Sequence, residues 1–130
     1  MTHRSIHTDR APAALGPYSQ AIALPVGDRD LLFVAGQIPL DPSSGELIDG
    51  SMAEQVEQVM LNLQAVLHEA GSDFDRVVKT TIFLQSMDDF AAVNEVYAGY
   101  FGEVPPARAT VAVSGLPKGV RVEIEAVAYR

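Results

Sequence analysis

The sequence contains no cysteine. Disulfides, thiolate nucleophiles and cysteine-ligated metal centres are thereby excluded. The three histidines, His3, His7 and His68, do not have a spacing that suggests zinc. His3 and His7 read as solvent-exposed residues of a mobile N-terminus. Basic residues are scarce: nine Lys and Arg stand against 17 Asp and Glu, for a net charge of −8. A nucleic-acid binder usually presents a basic face that neutralises phosphates. No Lys/Arg cluster exists here, which argues against nucleic acid as a partner. No apolar run approaches the ~20 residues of a membrane helix, and residues 1–10 lack the apolar stretch of a secretory leader. A soluble, cytoplasmic protein without a membrane partner is expected.

What is present is ordinary for a globular chain. At 130 residues, 48% hydrophobic and 20% charged, a single domain spanning 1–130 is expected, large enough to bury a core. Residues 18–26 and 31–38 read as strands, separated by the turn-forming Gly27-Asp28-Arg29-Asp30. Asp41-Pro42-Ser43-Ser44-Gly45 is a loop. Ser51 with Glu54 fits a capping box that opens a helix. Val56, Val59, Met60, Leu63, Val66, Leu67 and Ala70 form its apolar stripe, and Gly71 suits the left-handed position that ends it. Residues 76–85 are rich in β-branched side chains and predict a buried strand. A second helix over 88–101 carries Phe90, Val93, Tyr97, Tyr100 and Phe101 on one face. Pro105 and Pro106 bar its continuation. Strands at 107–113 and 120–129 follow. The alternation of strand and helix predicts parallel pairs with both helices on one face of the sheet. The opposite face is expected to carry Arg108, Thr110 and in part Glu123 among apolar residues, and to seek a partner. The connection after Val113 either closes a hairpin or steps over one strand; periodicity leaves both open.

Two of these strands carry the chemistry. Arg108 and Thr110 lie two apart and share a face, as do Glu123 and Glu125. A fixed guanidinium near a hydroxyl and a carboxylate can hold a small carboxylic acid beside a proton-transfer group, with neither metal nor cofactor. The competing reading of Arg108 is a structural ion pair with Glu123 or Glu125. Glu123 alone reads as solvated surface, and Tyr18 as core packing. Asn94 lies four residues after Phe90 and three before Tyr97, on the apolar helix face, where an amide needs hydrogen-bond partners. Gly36 can offer a backbone N–H where a side chain would block close approach.

The matching segments run along nearly the whole chain. They are Ala11-Pro12, Gly16-Pro17-Tyr18-Ser19-Gln20, Gly36-Gln37-Ile38-Pro39 and Asp41-Pro42, then Gln55, Asn62-Leu63, Gly71, Val78-Lys79-Thr80, Asp89-Phe90, Val93-Asn94 and Tyr97. Pro106-Ala107-Arg108, Leu116-Pro117-Lys118 and Val122-Glu123-Ile124-Glu125-Ala126 complete the pattern. In these the sequence resembles the RidA/YjgF reactive-intermediate deaminase family. The resemblance implies an α+β, chorismate-mutase-like fold with two helices packed on one face of a mixed sheet. It implies a homotrimeric barrel with pockets between subunits and a last connection that steps over a strand. The implied reaction is hydrolysis of 2-aminoacrylate, 2-iminobutanoate and related enamine/imine acids to 2-oxo acids and ammonia. On that pattern Arg108 clamps the carboxylate and Glu123 orients or deprotonates water, while Tyr18, Gly36, Asn94 and Thr110 line the pocket and Glu125 is structural. Two positions depart from it: Ala35 stands where many members have serine, and Thr110 where many have cysteine. These departures keep open a non-catalytic, carboxylate-binding or regulatory trimer. An endoribonuclease, attached to some relatives, fits the acidic balance poorly.

Overall fold

The computed structural model describes residues 2–130. Among these, the chain order is β1 (Arg4–Ile6), β2 (Ala21–Val26), β3 (Arg29–Gln37), α1 (Met52–Glu69), β4 (Val77–Leu84), α2 (Phe90–Ala98), β5 (Ala107–Ala112) and β6 (Val122–Tyr129). The six strands form one mixed sheet in the order β1-β2-β3-β6-β4-β5. Both helices pack on one face of it, as expected. Among the described residues no helix is long and apolar enough to cross a membrane.

Local signals set the element ends. The β2–β3 hairpin turns on Gly27 and Asp28, with Gly27 at φ +64°, a left-handed position cheap only for glycine. Ser51 and Glu54 cap α1 reciprocally: the Ser51 hydroxyl accepts from the Glu54 N–H at 3.2 Å and the Glu54 carboxylate from the Ser51 N–H at 3.0 Å. At its other end Gly71 (φ +79°) donates to the His68 carbonyl and Ser72 to that of Leu67. This Schellman pair satisfies carbonyls the helix leaves free. Every residue of the expected α1 stripe is buried.

The sheet settles what periodicity left open. β6 lies between β3 and β4 and runs antiparallel to both, so the β5–β6 connection steps over β4. The parallel pair is β4–β5. The N-terminus is not loose from Arg4 onward: β1 pairs with β2, and Arg4 and Arg130 both bond Asp30, at 3.0 and 2.9 Å.

One expectation about faces is overturned. Arg108 stands in register with Thr80 and Thr110 with Ile82, and both β4 partners are buried beneath the helices. Register partners share a face, so Arg108 and Thr110 lie on the helix side. Glu123 and Glu125 alternate with buried Val122, Ile124 and Ala126, and therefore sit on the open side. That open side carries Leu24, Val26, Phe33 and Val111, each more than a third exposed.

Candidate functional site

The candidate residues other than Thr110 gather in two clefts rather than one. The first, of about 440 Å³, opens where α2 meets the edge strand β5, and Asn94, Tyr97, Phe101, Pro106 and Arg108 line it. The Arg108 guanidinium donates to the Asn94 side-chain oxygen at 2.6 Å. It also lies 5.5 Å from the ring centre of Phe90 and 5.2 Å from that of Tyr97. Phe90, Asn94 and Tyr97 are spaced i, i+4 and i+7, which stacks them on one side of α2. The two rings attract the cation through their π faces. Tyr97 is fixed from below, because its hydroxyl meets the Thr80 hydroxyl at 2.6 Å in the buried layer. Burial pushes the Tyr97 phenol up, against the opposing effects of Thr80 and Arg108, so this pair is neutral.

Arg108 thus has an amide and two rings for company and no carboxylate partner among the described residues. The ion pair with Glu123 or Glu125 does not form within the chain. By contrast Arg4 and Arg130 share Asp30, and Arg121 pairs with Asp89. In a chain of net charge −8, Arg108 is a positioned cation held by neutral groups. Thr110, two residues along the same face, has a hydroxyl shielded from solvent and without a hydrogen-bond partner. A buried unpaired hydroxyl costs about 1–3 kcal/mol, which a ligand or an adjoining surface can relieve.

The second cleft, about 420 Å³, is lined by Leu15, Tyr18, Ala35, Gly36, Ile38, Pro117 and Glu123. Its floor depends on an irregularity. The β3–β6 register shifts between Val34 and Gln37, so Ala35 and Gly36 bulge beside Glu123. A methyl group on Gly36 would fall 2.8 Å from the Glu123 carboxyl carbon and closer still to its oxygen. Any side chain there would displace the Glu123 carboxylate, which lies across the glycine. Burial, and then the nearby Glu125 charge, push the Glu123 carboxyl above the ordinary value of 4.5. Tyr18 is half exposed, and its hydroxyl accepts from the Leu15 N–H at 3.2 Å. The remaining walls are apolar, Ala35 among them.

Within one chain the two clefts do not meet. Arg108 registers with Thr80, and Thr80 with Ala126, three residues beyond Glu123 on β6. The two side chains therefore start about 10 Å apart across the sheet and about 10 Å apart along it, and on opposite faces. The sequence pointed to a single site, with Arg108 and Glu123 as the catalytic pair and Tyr18, Gly36, Asn94 and Thr110 as binding residues; within the chain Arg108 and Asn94 line one cleft and Tyr18, Gly36 and Glu123 the other. Sequence reasoning also assigned no site role to Phe90 or Tyr97. Their i, i+4, i+7 spacing with Asn94 was the available signal.

Residues 8–130 match the family model described as Endoribonuclease L-PSP. Protein DfrA of Myxococcus xanthus is 54% identical over 128 residues, covering 98% of this chain and 96% of that one. The 2-iminobutanoate/2-iminopropanoate deaminase of Mus musculus is 51% identical over 125 residues, covering 96% and 90%. Among solved structures, the YjgF gene product of E. coli superposes with a TM-score of 0.89 at 41% identity, covering 98% of each chain.

The Thr80–Tyr97 bond supports the whole Arg108 cradle. Thr80→Val strands the Tyr97 hydroxyl and is expected to destabilise the protein by about 1–3 kcal/mol. Adding Tyr97→Phe removes the stranded group and should recover most of that loss. Denaturant unfolding at fixed protein concentration checks both; a double variant whose loss equals the sum of the singles contradicts the pairing.

Proposed function

The chain belongs to the RidA/YjgF family, and from that membership and the geometry above we propose that it is a 2-iminobutanoate/2-iminopropanoate deaminase. On this reading it hydrolyses small 2-imino and 2-enamino acids to 2-oxo acids and ammonia. Its active site is completed between subunits of a homotrimer: one subunit supplies Arg108, Asn94 and Thr110, and its neighbour supplies Tyr18, Gly36 and Glu123. The observation that carries the reading is the uncommitted Arg108 guanidinium, held by neutral groups at the edge of the sheet. The apolar open face and the exposed edge strand β5 support assembly.

The chemistry follows from the groups. Arg108 takes the substrate carboxylate bidentately, which also fixes the adjacent C2. The Thr110 hydroxyl gains the partner it lacks. An enamine substrate first takes a proton at C3 and gives one up from nitrogen to become the imine. Glu123, pressed over Gly36, accepts a proton from water as the water oxygen bonds to C2 and the C=N electrons move to nitrogen. Returning that proton to nitrogen gives the carbinolamine; moving its hydroxyl proton to nitrogen, again through Glu123, lets the C–N bond break as the C=O bond forms, releasing ammonia and the 2-oxo acid. A positioned acid–base group contributes about 10²–10⁴-fold, enough for a reaction that already proceeds in water. A net charge of −8 and an arginine held by an amide and two rings suit a small carboxylate better than a phosphate backbone, whatever the description Endoribonuclease L-PSP suggests.

Wild type is expected to accelerate loss of 2-iminobutanoate generated in situ, and Arg108→Ala to abolish the acceleration. Arg108→Lys, which keeps charge but loses the two-pronged geometry, should lower kcat/KM about tenfold or more. No acceleration by folded wild type overturns the deaminase reading in favour of a carboxylate-binding role.

The pH dependence has a definite sign. Glu123 acts as a base only when ionised, so the acceleration should fall as pH drops through its pKa. The neighbouring Glu125 raises that pKa. Glu125→Gln should move the fall to lower pH; a shift to higher pH, or none, contradicts the assignment.

A further inference from the structure

Leu15, Tyr18 and Ile38, three of the residues that wall the Glu123 cleft, stand outside the strands and helices, and buried amides tie their loops to the body. Asn62, 1% exposed on α1, donates to the Ile38 and Leu40 carbonyls at 3.1 and 2.9 Å. Gln37 donates to the Ala35 carbonyl at 3.2 Å. Gln20, 3% exposed, makes the most ties. Its side-chain oxygen accepts from the Thr8 N–H at 2.7 Å, and its amide nitrogen donates to the Thr8 and Pro12 carbonyls at 3.0 and 2.8 Å, with a longer contact of 3.4 Å to that of Ala11. Its backbone carbonyl accepts from the Ala35 N–H at 2.9 Å.

Residues 7–20 contain no helix or strand, and Leu15 and Tyr18 both stand more than half exposed. Little else holds them. Beyond Pro12 the internal ties of the segment are the Leu15 N–H to the Tyr18 hydroxyl and the Tyr18 N–H to the Gly16 carbonyl. Where the Tyr18 hydroxyl sits therefore depends on where Pro12 and Ser19 are held, and Gln20 grips both ends of that span. We infer that Gln20 is a positioning residue: its buried amide sets Tyr18 and Leu15 against Glu123 and so acts on the reaction through Tyr18. This inference rests on the deaminase reading.

A double-variant cycle tests it. Gln20→Met keeps the volume and removes every side-chain hydrogen bond; Gln20→Asn keeps an amide with a shorter reach and serves if the first does not fold. Each is combined with Tyr18→Phe, and all proteins are compared for oligomeric size, melting temperature and kcat/KM on 2-iminobutanoate. Misplacing a catalytic group by about 1 Å can cost about 10²-fold, so the Gln20 variants, still folded, should lose about 10–100-fold. In the Tyr18→Phe background they should lose much less, because the group they position is already gone. Losses that simply multiply, or an unchanged kcat/KM with only a lower melting temperature, overturn the inference. If wild type itself shows no turnover, the deaminase reading falls separately. The same cycle is then read from dissociation constants for 2-oxobutanoate, where coupled losses sustain the role of Gln20 and independent ones refute it.

Discussion

Side chains along a paired strand alternate between the two faces of a sheet, and partners across a ladder share a face. Applied across β5, β4 and β6, that constraint decides the character of this site. The ladder puts Arg108 opposite Thr80 and Glu123 opposite Phe83. Thr80 is buried under the helices and Phe83 is on the other side. A one-residue slip of β6 would bring glutamate to the face of the arginine, at the expense of turning Val122, Ile124 and Ala126 out of the core. Burial therefore enforces the separation of cation and base, and a second chain becomes the natural means of reuniting them.

The two half-sites are built differently. The Arg108 half is rigid because α2 presents Phe90, Asn94 and Tyr97 at helical spacing, and Tyr97 is anchored to Thr80 below. Neutral neighbours hold the guanidinium without consuming its charge. The Glu123 half relies on a strand bulge, a glycine and loops clamped by Gln20, Gln37 and Asn62. There the carboxylate is partly desolvated and stands near Glu125, so its proton affinity is raised. For the proposed deaminase, a cation held by neutral groups and a carboxylate of raised proton affinity are complementary requirements for drawing an anionic imine to an activated water.

Much of the fold was legible because its signals are local. The Ser51/Glu54 box, the α1 stripe, the glycine at 71 and the Gly27-Asp28 turn each state a physical requirement within a few residues. The short β1 escaped notice: three residues cannot show a period, and pairing with β2 makes them a strand. The step of the last connection over a strand came only from the resemblance, and the full strand order only from the structure. The faces of Arg108 and Thr110 were misread for a plain reason. β5 is an edge strand of small residues, exposed on both sides, so its sequence has no apolar alternation to reveal which side faces in. Nor could the sequence show the clamps. Gln20 reads as one more polar residue until its amide is seen binding backbone at positions 8, 11 and 12.

The central claim is that catalysis requires Arg108 from one chain and Glu123 from another. Arg108→Ala and Glu123→Gln proteins, each purified separately, should be inactive on 2-iminobutanoate. Unfolding them together and refolding the mixture creates assemblies in which an intact Arg108 faces an intact Glu123 at one junction. Activity recovered by the mixture, and by neither parent refolded alone, is the predicted result. A mixture that forms mixed trimers yet remains as inactive as its parents would contradict the shared site.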